Sequence, residues 1–148
     1  MEKIGIPVKI TLKTAIERDL SDKEEFELTV FGSYVQKDNT AYLIYEEVLG
    51  KGQVRTVVKY RENEGVTISR KGTVNMHLDF AKDEQKSGQY RTDVGTFLLH
   101  TNTDELAFNW SAKQNQGHLR LAYHFFMEKE HVGFYRMDFQ FAKVEDKN

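Results

Sequence analysis

Hydrophobic and polar positions alternate most clearly from Gly65 to Lys82, GVTISRKGTVNMHLDFAK. The even positions read Val66, Ile68, Arg70, Gly72, Val74, Met76, Leu78 and Phe80, while Thr67, Ser69, Lys71, Thr73, Asn75, His77 and Asp79 fill the odd ones. A period of two is the mark of β-structure with one buried and one wet face. At about 3.3 Å per residue one straight strand of this length is too long for a small domain, so the chain must turn or bend at Arg70-Lys71-Gly72. A two-residue loop at 71–72 breaks the facing of the row. A three-residue loop, 71–73, pairs Arg70 with Val74 and keeps the even face together, with Gly72 as the left-handed residue. A single strand kinked at Gly72 satisfies the same pattern. In either case Arg70 is the one charge in an apolar row.

The same period runs through the rest of the chain. Ile6, Val8, Ile10 and Leu12 alternate with Lys9, Thr11 and Lys13 across 6–18, and Pro7 is tolerated near a strand start. Residues 19–24 read as a connector with one helical turn, since Ser21 and Glu24 have capping-box spacing. Residues 25–36 alternate again, with Phe26, Leu28 and Val30 inward, and Lys37-Asp38-Asn39 is a hairpin turn. Residues 40–48 are apolar on both faces, Leu43 and Tyr45 against Tyr42, Ile44 and Val48. Such a strand is expected to be covered on both sides, by a loop, a helix or another subunit. Further strands are predicted over 53–61, 89–101 (with a bulge or close approach at Gly95), 105–113, 118–128 and 134–144. The turns between them fall at 62–65, 83–88, 102–104, 114–117 and 130–133. Turn signals about every 8–16 residues, with no proper helix between, predict an all-β domain of nine or ten strands in mostly up-and-down order. Closure into a barrel removes the exposed edges. The whole of 1–148 reads as a single domain.

Composition adds limits. A chain of 148 residues is long enough for a self-sufficient core. The formal charge of -2 argues against a generic nucleic-acid binder. With no cysteine, disulfides, thiolate metal sites and cysteine nucleophiles are all excluded. No stretch has the pattern of a signal peptide or reaches 18 apolar residues, so the cytoplasm is the expected compartment and no membrane is expected as a partner.

The segments LIYEE at 43–47, SRKG at 69–72 with Phe80 after it, YRTDVG at 90–95 and LAYHF…GFYRMDF near the end resemble, in order and spacing, the YwiB-like family. These are small bacterial proteins of unassigned function with a calycin, lipocalin-like β-barrel. The resemblance implies the same barrel and brings no catalytic residues. By analogy of fold, related calycins bind small hydrophobic ligands inside the barrel.

Candidate chemistry is sparse. His77, His100, His118 and His124 fall in the outward phase of their strands and His131 in a turn. His118 and His124 lie six residues apart on one strand, roughly 20 Å, and cannot share an ion. No metal site or cofactor is expected. Ser69 and Ser111 face outward with no histidine pattern around them, and Glu46 and Glu47 point to opposite faces. Gly50-Lys51-Gly52 reads as a turn rather than a phosphate loop. The protein is expected not to be an enzyme. Nine aromatic rings point inward by parity: Phe26, Phe80, Phe97, Phe108, Trp110, Tyr123, Phe125, Phe139 and Phe141. At roughly 150–250 Å² each they can fill a small barrel, leaving a partial pocket near one mouth bordered by Arg70, Tyr45, Trp110 and Tyr123. Arg70 there either holds the carboxylate of a small, partly apolar ligand or pairs internally, with Glu47 or with backbone carbonyls. Two alternatives stand beside this reading. The two-faced strand 40–48 suits a protein partner, a second copy included. Arg55, Lys59 and Arg61 on one strand face, with Tyr60 between them, suit a weak single-strand nucleic-acid binder.

Overall fold

The structure, a computed structural model, describes residues 5–18 and 22–145. Ten strands form it: β1 (Ile6–Glu17), β2 (Lys23–Lys37), β3 (Thr40–Leu49), β4 (Gly52–Arg61), β5 (Gly65–Gly72), β6 (Asn75–Phe80), β7 (Gln85–Thr92), β8 (Gly95–Ser111), β9 (Gln116–Met127) and β10 (Glu130–Lys143). Each pairs antiparallel with its neighbours in sequence, and β1 closes on β10 from Val8–Lys143 to Glu17–Phe134, so the sheet is a closed up-and-down barrel. One mouth carries the turns at 38–39, 62–64, 81–84 and 112–115. The opposite mouth carries those at 50–51, 73–74, 93–94 and 128–129.

The polar turns are built as their residues suggest. Asp38, Asn63, Asp83 and Asn115 each take a positive φ, which these short polar side chains tolerate. The turn after β9 is different. Glu128 and Lys129 both adopt positive φ, and Met127 pairs directly with Glu130. The Glu128 carboxylate accepts a 2.6 Å hydrogen bond from the Leu98 amide, which holds this unusual turn. It lies two residues earlier than the pattern at 130–133 predicts, because His131 to Gly133 form a bulge within β10.

Three further elements depart from the pattern. The β5–β6 connection is longer than expected: Arg70 pairs with Met76, not Val74, so five residues lie between the partners. Loops of three and five residues both keep the even face together, and periodicity cannot separate them. Residues 102–104 are not a turn. They form a bulge inside β8, at Thr103 to Glu105, and the extra residue shifts the inward phase from Leu99 and Thr101 to Phe108 and Trp110. Gly95 is accordingly the first residue of β8 beside a tight turn, and β7 begins at Gln85. The predicted helical turn lies partly outside the described residues, since Ser21 is not among them; Lys23 and Glu24 are already strand.

The core is the inward row of every strand. Val8, Ile10, Tyr34, Val54, Phe80, Leu99, Leu119, Leu121, Phe139 and Phe141 are all almost fully buried. Phe26, inward by phase, sits where β2 leaves the core and is 54% exposed. Among the described residues no loop or helix of the chain itself covers the outer face of 40–48: Tyr42 and Ile44 are half-buried, and Val48 is 73% exposed. The lumen is full. Tyr34, Leu43, Val58, Tyr60, Phe108, Leu119 and Phe141 enclose a void of about 10 Å³, no more than one water.

One glycine fixes how β6 meets β7. A side chain at Gly88 would place its Cβ 2.2 Å from the His77 carbonyl oxygen. Gly88→Ala should therefore push β7 off β6 and lower stability by about 1–3 kcal/mol, read as a lower urea midpoint.

Candidate functional site

The short strand β6 shapes the outer wall. It pairs with β7 over three residues only, from Asn75–Arg91 to His77–Gln89, and then diverges. The ladders align the outward side chains of β4 to β7 in rows. Arg55 pairs with Lys71 across β4–β5 and Asn75 with Arg91 across β6–β7, one pair on each side of the β5–β6 turn. The next row runs Val57, Ser69, His77, Gln89, and another Lys59, Thr67, Asp79. Where β6 ends its pairing, Ser69, Arg70, Lys71, Asn75, Met76, His77, Gln89 and Arg91 line an open cleft of about 280 Å³. No carboxylate lines it. Among the described residues, Lys71 and Arg91 make no ion pair.

Arg70 belongs to an inward row, Tyr45–Thr56–Arg70–Met76–Tyr90, close to the mouth with the 73–74 turn. Its guanidinium reaches Glu47 at 3.3 Å, with both side chains partly exposed. The internal partner expected for Arg70 is therefore present, and the arginine still borders the cleft. Tyr45 lies beside this pair. Burial pushes its phenol far above the ordinary value, the Glu47 carboxylate adds to the rise, and Arg70 opposes it.

The four residues expected to border one pocket do not meet. Arg70 and Tyr45 share one mouth. Trp110 stands near the other, stacked on Tyr34 at 4.1 Å and on Phe141 at 6.0 Å. Tyr123 lies in the core, edge-on to Phe80 at 4.6 Å and stacked on Tyr135 at 5.4 Å. Parity assigns a face and says nothing of height along the barrel, which is why four inward residues read as one pocket.

The basic strip of β4 also changes. Arg55, Lys59 and Arg61 do share the outward face, but Tyr60 points inward and stacks on Phe108 at 4.4 Å, so the strip has no aromatic to stack a base. Arg61 is held by Glu64 at 2.9 Å. Arg55 instead pairs across β4–β5 with Lys71 of the cleft.

Ser69 has the histidine that the pattern does not place beside it. The longer β5–β6 loop sets His77 directly across from Ser69, with Ser69 Oγ 3.2 Å from His77 Nδ1. Asp79 Oδ1 stands 3.3 Å from His77 Nε2 and accepts a 2.7 Å hydrogen bond from the Thr67 hydroxyl. A three-residue loop would have put Asn75 in that position. Three of the other histidines also have side-chain partners. His118 meets Asp138 at 2.9 Å, and His124 Nδ1 lies 3.0 Å from His131 Nε2.

Residues 10–139 match the family model described as a domain of unknown function, DUF1934. This chain belongs to the DUF1934 family. A relative in that line is the "Uncharacterized beta-barrel protein YwiB" of Bacillus subtilis (strain 168), 31% identical over 128 residues, which span 85% of this chain and 87% of that one. The crystal structure of the ywiB protein from Bacillus subtilis superposes with a TM-score of 0.82 at 27% identity, over 95% of this chain and 94% of the other. The DUF1934 barrel described here thus has its closed ten-stranded form in common with a solved relative, and the likeness anticipated from LIYEE, SRKG and YRTDVG is real. Among the described residues no helix is long and apolar enough to cross a membrane.

Proposed function

We propose that this protein binds a small organic anion on its outer wall, in the cleft between β5, β6 and β7. One observation carries the reading: Lys71 and Arg91, which make no ion pair among the described residues, flank a 280 Å³ cleft that no carboxylate lines, with the Glu47-paired Arg70 at its edge. Unpaired cations around a concavity attract and orient anions, and a guanidinium holds a carboxylate through two parallel hydrogen bonds. Asn75, Gln89 and Ser69 add neutral donors beside them. Deeper in the lumen the rings leave a void of only about 10 Å³, and the larger recess of about 370 Å³ at the mouth beside Tyr34, Tyr60, Phe108 and Trp110 is lined by no Lys or Arg and by the carboxylates of Asp38 and Glu62. The cysteine-free sequence suits the reducing cytoplasm.

Succinate is a suitable probe, since it carries two carboxylates on a short apolar link. Calorimetric titration at low ionic strength should give saturable binding that weakens as salt rises. Arg91→Met should cut the affinity about tenfold or more, the loss of one charge-assisted bidentate contact. Arg61→Met, whose guanidinium already serves Glu64, should leave it unchanged. Equal loss in both variants, or no heat with wild type, contradicts the proposal.

A further inference from the structure

We propose that Ser69 is a nucleophile and that the cleft hydrolyses esters of small organic acids bearing a second, free carboxylate. The substrate class rests on the anion-binding reading above; the nucleophile rests on separate geometry.

The contacts around His77 lead to it. Asp79 Oδ1 stands 3.3 Å from Nε2, close enough for its charge to favour the His77 tautomer with the proton on that nitrogen, though not aligned as a hydrogen bond. Nδ1 is then a lone pair, and the donor facing it at 3.2 Å is the Ser69 hydroxyl. The serine proton is thereby committed to a base, and the oxygen's own lone pairs are left for a reacting carbon. The Thr67 hydroxyl donates to Asp79 Oδ1 at 2.7 Å and so holds that carboxylate beside the ring. Nucleophile, base and orienting acid stand in the sequence of contacts that activates a serine, recognised by geometry rather than by a local motif. Both Ser69 and His77 line the cleft that holds Lys71 and Arg91. A substrate whose free carboxylate meets those cations has its ester carbonyl within the same concavity. Gln89 lines the same cleft across from His77, and its side-chain amide is the neutral donor available there for the developing oxyanion.

The step balances without any further reagent than water. Ser69 Oγ forms a bond to the acyl carbon while His77 Nδ1 takes its proton. The C–O bond to the alcohol breaks, and His77 returns the proton to the departing alkoxide. Water, deprotonated by His77, then attacks the acyl-serine, releases the carboxylic acid and restores Ser69. In this scheme Ser69 and His77 are catalytic and Asp79 and Thr67 are positioning residues.

The test uses the full chain with the mono-4-nitrophenyl ester of succinic acid, and the 4-nitrophenyl ester of acetic acid as the uncharged comparison. A nitrophenolate burst equal to the protein concentration is expected. The succinyl group should be found on Ser69, within the tryptic peptide spanning 62–70, where it is the sole serine. Ser69→Ala should abolish the burst and His77→Gln slow it about 100-fold or more. Asp79→Asn should shift the pH dependence of acylation, a change that a merely structural role would not produce. Arg91→Met should weaken use of the succinyl ester and spare the acetyl ester. Acyl groups on lysines, or a burst that survives Ser69→Ala, overturn the nucleophile whatever the variants' stability, because the adduct is mapped on wild type. Acylation of Ser69 with no effect of Arg91→Met would retain the nucleophile and instead refute the anion site.

Discussion

Phe141→Ala should unfold at a markedly lower urea concentration than wild type, losing about 3–5 kcal/mol of stability with an unchanged slope. Phe141 is 2% exposed and stands at the centre of the ring cluster that seals one mouth. Trp110 stacks on it at 6.0 Å, Tyr34 lies at 5.5 Å and Phe108 at 6.4 Å. Across the β9–β10 ladder it meets Gly117, where an added Cβ would strike its ring at 2.3 Å, so the backbone there has no side chain to refill the space. A closed wall of paired strands cannot collapse inward to close the void, and the cavity term adds to the lost transfer energy. For a domain of ordinary stability, about 5–15 kcal/mol, that loss is a large share of the total. Val48→Ala, at 73% exposure, should cost under about 0.5 kcal/mol and serves as the control.

Alkaline pH should unfold the barrel through its buried phenols. Burial pushes the Tyr34 hydroxyl up to about 12 and raises Tyr45 and Tyr123 further still; for Tyr123 the neighbouring Tyr135 adds to the rise. In the unfolded chain each phenol ionises near its ordinary value of about 10. Above that pH the unfolded state has released protons that the folded state retains, so stability falls as pH rises. The stabilisation is complete below about pH 10 and is lost through pH 12 and beyond. Each phenol contributes a slope of somewhat over 1 kcal/mol per pH unit, and the three together about 4 kcal/mol per unit. Tyr123→Phe should remove one of the three slopes, at the loss of only a 3.4 Å contact from its hydroxyl to the Met137 sulfur. The variant should therefore stay folded to higher pH than wild type, as followed by circular dichroism. An alkaline midpoint that Tyr123→Phe leaves in place contradicts this account.

The wall of the barrel was legible from the chain because alternation is a local property. Val66, Ile68, Leu78 and Phe80 had to share a face, and they do. Aromatic parity likewise anticipated a lumen filled by Phe80, Phe125, Phe139 and Phe141. The family likeness pointed to the same architecture, and the superposition on the ywiB crystal structure bears it out. What periodicity could not supply was register and height. A slip of two residues at the β5–β6 turn leaves every face unchanged, yet it exchanges Asn75 for His77 opposite Ser69. Trp110 and Arg70 both point inward, yet they stand at opposite mouths, because where a residue lies along the axis depends on bulges and strand lengths. The β8 bulge at Thr103 and the left-handed Glu128-Lys129 pair lack the glycine or proline that normally marks such places. Lys71 and Arg91, the two unpaired cations of the cleft, are twenty residues apart in sequence. Only the fold of β5 to β7 brings both to one cleft, on either side of the β5–β6 turn.

The most direct measurement is a titration of the isotopically labelled protein with succinate, followed amide by amide in two-dimensional NMR spectra. Shifts confined to Ser69–Lys71, Asn75–His77 and Gln89–Arg91, saturating together and absent in Arg91→Met, are the predicted result. Shifts centred instead on lumen residues such as Leu43, Leu121 and Tyr123 would mean that the interior opens to ligand, and would contradict a filled barrel that works from its outer wall.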